Sequence, residues 1–354
     1  MTAESAVGKR WEIDLLESAQ QIHKALGSVQ RPAMRRQTSS VGKVTSEIER
    51  GRDAYKRRAW GEAYQSLTTA DKTDPLCAAD LELLAMSAYL IARDDEYLDA
   101  LDRAYHAYLD KKLNLRAARC AFWLGLRCLF RGEAARASGW FARSQRLVDC
   151  EGEDCVEAGY LVLPLVESHL DAGESENAYA DARQAVEIGS RFHDVDLIVV
   201  AQHQQGRALI QQGRVEQGLS LLDEAMLSVT DGELSPLVTG LIYCSVIDAC
   251  RQVYAVDRAR EWTTALARWC AEQPEMVSFT GKCLVHRAEI LQLHGAWPEA
   301  LTEARRGCER FQNGVDPQRP AAAFYQLAEM HRLQGSARLW PRRNSRPVRI
   351  CRGR

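Results

Sequence analysis

The stretch "GRALIQQGRVEQGLSLLDEA", Gly206–Ala225, contains the unit from which most of the chain is built. Gly206 is small, Gly213 marks a turn, Gly218 is small again, and Leu222 and Ala225 follow at helical spacing. Apolar and small residues at three- and four-residue intervals on both sides of a glycine read as two helices joined by a tight turn. The same frame recurs. "GRDAYKRRAWGEAYQSLTTADKTDP" places Gly51, Trp60, Ala63, Leu67, Ala70 and Pro75 in it. "GLRCLFRGEAARASGWFARS" supplies Gly125, Gly132, Ala137, Phe141 and Ser144. "AEILQLHGAWPEALTEARRG" supplies Ala288, Gly295, Trp297, Ala300, Ala304 and Gly307.

Self-similarity at a fixed period is the signature of a repeat protein. The small residue of each second helix falls at Ala63, Ala100, Ala137, Ala178, Gly218, Ala259 and Ala300, with spacings of 37, 37, 41, 40, 41 and 41. The first helices supply Gly51, Ala88, Gly125, Val166, Gly206, Ile247, Ala288 and Ala328, of which Val166 and Ile247 depart from the small pattern. A small residue in each helix lets two backbones approach, and the leucine or aromatic at i+4 fills the space beside them. No pair buries its apolar face alone, so pairs stack. The predicted fold is therefore an all-α superhelix of helix pairs with a period of about 40 residues, seven pairs complete and the eighth broken. The residue frame resembles the tetratricopeptide repeat. Loops are expected at "CEGEDC", Cys150–Cys155, and "TDGELSP", Thr230–Pro236.

Three domains follow from this frame. Residues 1–44 lie outside it: Trp11, Leu15, Ala19, Ile22 and Leu26 form an amphipathic helical stripe, read as a cap on the first repeat or a partner-binding helix. "GSVQRPAMRRQTSSVGK" after it reads as a linker, whose "RRQTSS" is only a weak match to a phosphorylation site. Residues 45–335 are the array, and residues 336–354 form a basic tail expected to be disordered.

Charge separates these regions. The chain carries a net charge of −2, but Ser336–Arg354 has seven Arg and no acid, whereas residues 45–335 hold 32 bases against 44 acids. An acidic body repels phosphate backbones, so nucleic-acid binding by the array is not expected. No apolar run approaches the ~20 residues that span a bilayer, and the N-terminus has no apolar core of a secretory signal. The eleven cysteines include no CxxC, which reads as reduced, packing thiols and a cytoplasmic location.

No chemistry-bearing motif stands out. P-loop, GxGxxG, HExxH and GxSxG patterns are missing, and none of the eight histidines pairs with cysteine at zinc-finger spacing. The expectation is a protein that is not an enzyme and carries no metal or cofactor. An array does offer a concave face lined by its first helices. Residues one position after the small site and three before it should point inward, which nominates Glu167, His203, Arg207, Asp248 and Glu289. They mix both signs, as a groove for a peptide or a small effector would; they are equally compatible with an ordinary solvated face.

Several stretches go beyond generic repeats. "RCAFWLGL" (Arg119–Leu126), "DCVEAGYLVLP" (Asp154–Pro164), "GELSPLVTGLIYCSVIDACRQVY" (Gly232–Tyr254), "GKCLVHRAEILQLHGAWPEAL" (Gly281–Leu301) and "AAFYQLAEMHRLQG" (Ala322–Gly335) resemble the tetratricopeptide region of actinobacterial LuxR-type transcriptional regulators. The resemblance covers about Val44 to Gly335. It implies a sensing or protein-contact half that works with a helix-turn-helix DNA-binding half. Nothing in these residues matches that second half, so direct DNA binding is not expected. The rival readings are a free-standing scaffold or adaptor, and an array that binds a small effector.

In the repeat frame, Gly335 should be followed by an acidic helix with a small residue at position 340. Instead Trp340 and Pro341 stand there, followed by Pro347. Trp would overpack a helix seam, and proline in a helix costs ~3 kcal/mol. The preferred reading of residues 336–354 is the product of a reading-frame change; the alternative is an evolved basic tail. Either way the helix bearing Phe324, Tyr325, Leu327, Met330 and Leu333 is expected to lose its partner and to offer a self-association surface.

Overall fold

The computed structural model describes residues 37–152, 154–273, 275–312 and 320–335. Their contacts divide the chain into residues 1–46 and residues 47–354. The helix proposed at Trp11–Leu26 and the basic tail at 336–354 lie outside the described residues.

Among the described residues fifteen helices follow one another: α1 Gln37–Lys56, α2 Trp60–Asp71, α3 Ala78–Leu90, α4 Asp94–Asp110, α5 Asn114–Phe130, α6 Ala134–Glu151, α7 Val156–Ala172, α8 Ser175–Phe192, α9 Val195–Gln211, α10 Val215–Thr230, α11 Pro236–Gln252, α12 Val256–Ala271, α13 Thr280–Leu293, α14 Trp297–Gln312 and α15 Pro320–Leu333. No strand occurs among them. They form seven pairs, α1/α2 to α13/α14, and α15 stands where the first helix of an eighth pair belongs. Two or three residues join the members of each pair. The fold is the α–α superhelical, tetratricopeptide-like class that the repeat frame predicts. Breaks between helices fall within both stretches read as loops, after Glu151 and after Thr230.

The turn inside each pair needs one residue in the left-handed conformation to reverse the chain. Gly132, Gly173, Gly213 and Gly295 supply it at φ 76–79°, and Arg58, Ala92 and Tyr254 adopt it at φ 59–62°; Gly335 takes the same conformation after α15. Outside glycine that conformation is strained by ~1–2 kcal/mol.

The helix seam is as tight as the small residues demand. A Cβ added at Gly218 would lie 2.5 Å from the Gly206 carbonyl oxygen, and one at Gly206 would lie 2.9 Å from the Gly218 oxygen and from Leu222. Gly51 meets Leu67 and Gly125 meets Phe141 in the same way, each at 2.7 Å from an imagined Cβ. Leu67 and Leu222 are fully buried, and each such side chain contributes ~1.5–3 kcal/mol. Val166 and Ile247 are also fully buried despite their size. At the end of the array, Ala328 is half-buried.

Two readings need correction. Helix α1 begins at Gln37, inside the segment read as linker; Pro32 is the last breaker before it, and the polar run after Pro32 does not oppose a helix. In the second pair the turn falls at Ala92. In every other pair the small sites lie seven residues before the turn and five after it, so here they are Ala85 and Tyr97, not Ala88 and Ala100. All four side chains are buried, and so many alanines hid the three-residue shift. The first repeat step is therefore 34 residues, because α2 has only 12 residues where later second helices have 16–18.

First helices form one layer. Among the described residues α5 contacts α7, α7 contacts α9, and the series continues to α15, while no second helix makes comparable contact with the next second helix. The longest connection, 272–279 between α12 and α13, does not stay local. It crosses to the first two pairs, where Gln273 accepts a hydrogen bond from Trp60 Nε1 at 3.1 Å and the Leu90 carbonyl accepts one from the Val277 N–H at 2.8 Å.

Candidate functional site

Four of the five nominated residues are partly exposed on this layer of first helices, and they are joined to one another. Arg207 on α9 donates to Glu167 on α7 at 2.6 Å, and Gln204 donates to the same carboxylate oxygen at 2.8 Å. One step on, Arg251 on α11 pairs with Asp248 at 3.1 Å and with Glu289 on α13 at 2.9 Å. His286 Nδ1 stands 3.5 Å from Glu289 and 3.7 Å from Asp248. Farther along, Gln326 on α15 donates to Gln292 on α13. The result is a ladder of polar contacts from first helix to first helix, with rungs about one repeat apart.

His203 differs from the other four. It is 4% exposed and bonded through Nε2 to Ser245 on α11 at 2.7 Å. Burial, reinforced by the Arg207 charge, lowers its pKa to about 3, so it is a neutral interior rung and not a groove contact. The position three before the small site faces the neighbouring first helix α11, which covers it.

The frame missed Gln204, Arg251 and His286. Their signal was present in the sequence: Arg251 and His286 lie three residues from Asp248 and Glu289 on the same helices, so each pair shares one face. Burial opposes protonation of His286, but the Cys244 thiol and the Glu289 and Asp248 carboxylates outweigh it and raise its pKa to about 9. It lies buried between the two carboxylates.

No group of three or more His, Cys, Asp or Glu that suits a metal ion occurs among the described residues. Cys150 and Cys155 are both free thiols. No helix among the described residues is long and apolar enough to cross a membrane. A cavity of about 170 Å³ opens elsewhere, lined by Arg58, Tyr243, Arg268, Trp269 and Glu272, and none of the nominated residues borders it.

Paired helices, a close-approach seam and a polar layer of first helices together define a tetratricopeptide-like repeat protein. No protein-family model matches the chain, and no curated protein matches it. Solved structures with similar folds include a signal-transduction ATPase with numerous domains and a tetratricopeptide-repeat sensor, from Pyrococcus horikoshii (14% identity, 77% of this chain and 42% of that one, TM-score 0.44). Others are the Rap conjugation gene regulator of plasmid pLS20 in complex with the Phr* peptide (14% identity, 88% and 80%, TM-score 0.46) and the apo form of RapI (14% identity, 82% and 81%, TM-score 0.43). The chain thus spans less than half of the ATPase's length.

Proposed function

We propose that this chain is a non-catalytic recognition array that takes a protein or peptide segment along its first-helix layer. The carrying observation is the polar ladder. Glu167, Arg207, Asp248, Arg251 and Glu289 place partly exposed charges of both signs on neighbouring helices at repeat spacing. An extended peptide presents side chains at regular intervals, and a charge-alternating ladder can exchange its internal ion pairs for pairs with such a ligand. Exchange limits affinity and favours specificity, since a wrong partner leaves charges unpaired. By resemblance of residues 44–335, we assign the array to the regulatory half of a LuxR-type transcriptional regulator.

The test is selection from a peptide library on the full chain, followed by titration of the enriched peptides. The expected outcome is charged peptides whose affinity falls at least tenfold, ~1.4 kcal/mol, when Arg207 and Arg251 are both changed to alanine. Enrichment of nothing, with a metabolite raising Tm instead, would replace this reading with a small-effector sensor. Salt-sensitive retention on DNA, lost on removing residues 336–354, would support a functional basic tail and count against a reading-frame change there.

A further inference from the structure

The connection 272–279 occupies helix ends of the first two pairs in the manner of a bound peptide. Every helix leaves its first N–H groups and last carbonyls without partners inside the helix. At α2 the Glu275 carboxylate accepts the Gly61 N–H at 2.8 Å, a negative charge set against the positive end of a helix. At α3 the Leu90 carbonyl accepts the N–H groups of Val277 and Ser278 at 2.8 and 3.2 Å, and the Ser278 hydroxyl donates to the Tyr89 carbonyl. Gln273 takes the Trp60 indole N–H. The Phe279 ring closes the set, with ring centroids 6.0 Å from Tyr89 and 5.9 Å from Trp269.

Two glycines shape this seat. A Cβ at Gly61 would lie 3.1 Å from the Glu275 carboxylate, and a Cβ at Gly240 would lie 2.3 Å from the Phe279 ring. A carboxylate, main-chain donors to fixed carbonyls and an aromatic anchor are the elements by which receptors hold extended peptides. Two facts show how a competitor would enter. Residues 275–279 have no helical structure of their own, and Glu275 at one end is exposed while Met276 and Phe279 are buried.

We propose that the ends of α2 and α3, with the slot over Gly240, are a binding seat for an extended segment of the pattern Glu-x-Val-Ser-Phe, filled in cis by residues 275–279. A partner protein presenting that pattern binds by displacing the strap and so releases the contact between the first two pairs and α11–α13. The seat is separate from the ladder of first helices. The tethered strap competes at an effective concentration on the order of mM, which lowers the apparent affinity for any free competitor.

The experiment is fluorescence anisotropy with a labelled peptide carrying residues 272–279, on the full chain. In a Glu275→Ala/Phe279→Ala variant the seat is vacated, and the peptide should bind at least tenfold more tightly than to the unaltered chain. Adding Gly61→Val to that variant should weaken binding at least tenfold, since the added side chain crowds the seat of the carboxylate. Equal or undetectable binding to both chains, or indifference to Gly61→Val, would overturn the proposal. If circular dichroism shows that the double variant has lost helix, hydrogen exchange on the unaltered chain decides. Excess peptide should speed exchange of the Val277 and Ser278 amides, and unchanged rates would overturn the proposal. A dimer in light scattering that Phe279→Ala abolishes would overturn it in favour of strap exchange between copies.

Discussion

The seam between α9 and α10 and the closure at 272–279 are both tight, but they are built from opposite kinds of information. At the seam, Gly206 and Gly218 stand twelve residues apart and their backbones touch. At the closure, Trp60 meets Gln273 and Gly61 meets Glu275 across 213 and 214 residues of chain. A solenoid's local seams repeat because each pair solves the same packing problem. The closure is made once, and nothing in the repeat calls for it. Local seams hold each pair together, whereas the closure sets how the first pairs meet the later ones.

The largest expected effects lie at the seam. Leu222→Ala should cost ~2–5 kcal/mol, since Leu222 is fully buried beside the glycine contact. Gly218→Ala should cost ~1–3 kcal/mol by overpacking, because the added methyl faces backbone that cannot swing aside. Urea unfolding followed by circular dichroism measures both. Phe279→Ala would cost ~3–5 kcal/mol in a sealed core. Here the strap can detach while the pairs stay folded, so the measured loss should fall below that range. The variant should instead show fast hydrogen exchange at Val277 and Ser278 with unchanged exchange in α9 and α10. A loss of the full size, with exchange rising everywhere, would make the closure as integral as a seam.

Between these regions lies the ladder, and its two histidines give it a pH signature. His286 is raised from 6.5 to about 9 in the folded chain. Its contribution is complete below pH 6.5 and is lost as pH rises through about 9. His203 is lowered from 6.5 to about 3. The unfolded imidazole takes up a proton that the folded one refuses, so stability falls as pH drops from 6.5 toward 3. Urea titrations across this range should show His286→Gln flattening the alkaline limb and His203→Gln flattening the acid limb.

The smallest expected effect is at the turns. Tyr254 is 80% exposed and sits at φ 59°, where four other pairs use glycine. Tyr254→Gly should relieve ~1–2 kcal/mol of strain and lose part of it to the greater freedom of the unfolded chain, for a net gain of ~0.5–1 kcal/mol. A rise in Tm would agree; a fall would show that the tyrosine makes contacts worth more than the strain.

Much of this was legible from residue spacing alone. Seven pairs, their turns and the first helix that follows them, α15, follow from small residues twelve apart, because helix geometry converts that spacing into backbone contact. The same logic failed at the second pair, where alanines at 85, 88 and 100 all suit a seam and only the turn at Ala92 fixes the register. For the candidate site, spacing put Glu167, Arg207, Asp248 and Glu289 on one layer. Their partners required knowing how far neighbouring helices slide past one another. That slide buried His203 against Ser245 and brought Arg251 to Glu289.

By itself, then, the sequence determined the helix pairs, their order and the residues at each seam, since these are contacts between near neighbours in the chain. Only the tertiary structure decided that 272–279 returns to α2 and α3. Whether the connection after the sixth pair meets the first two depends on small rotations summed over the interfaces between them, and no single residue records that sum.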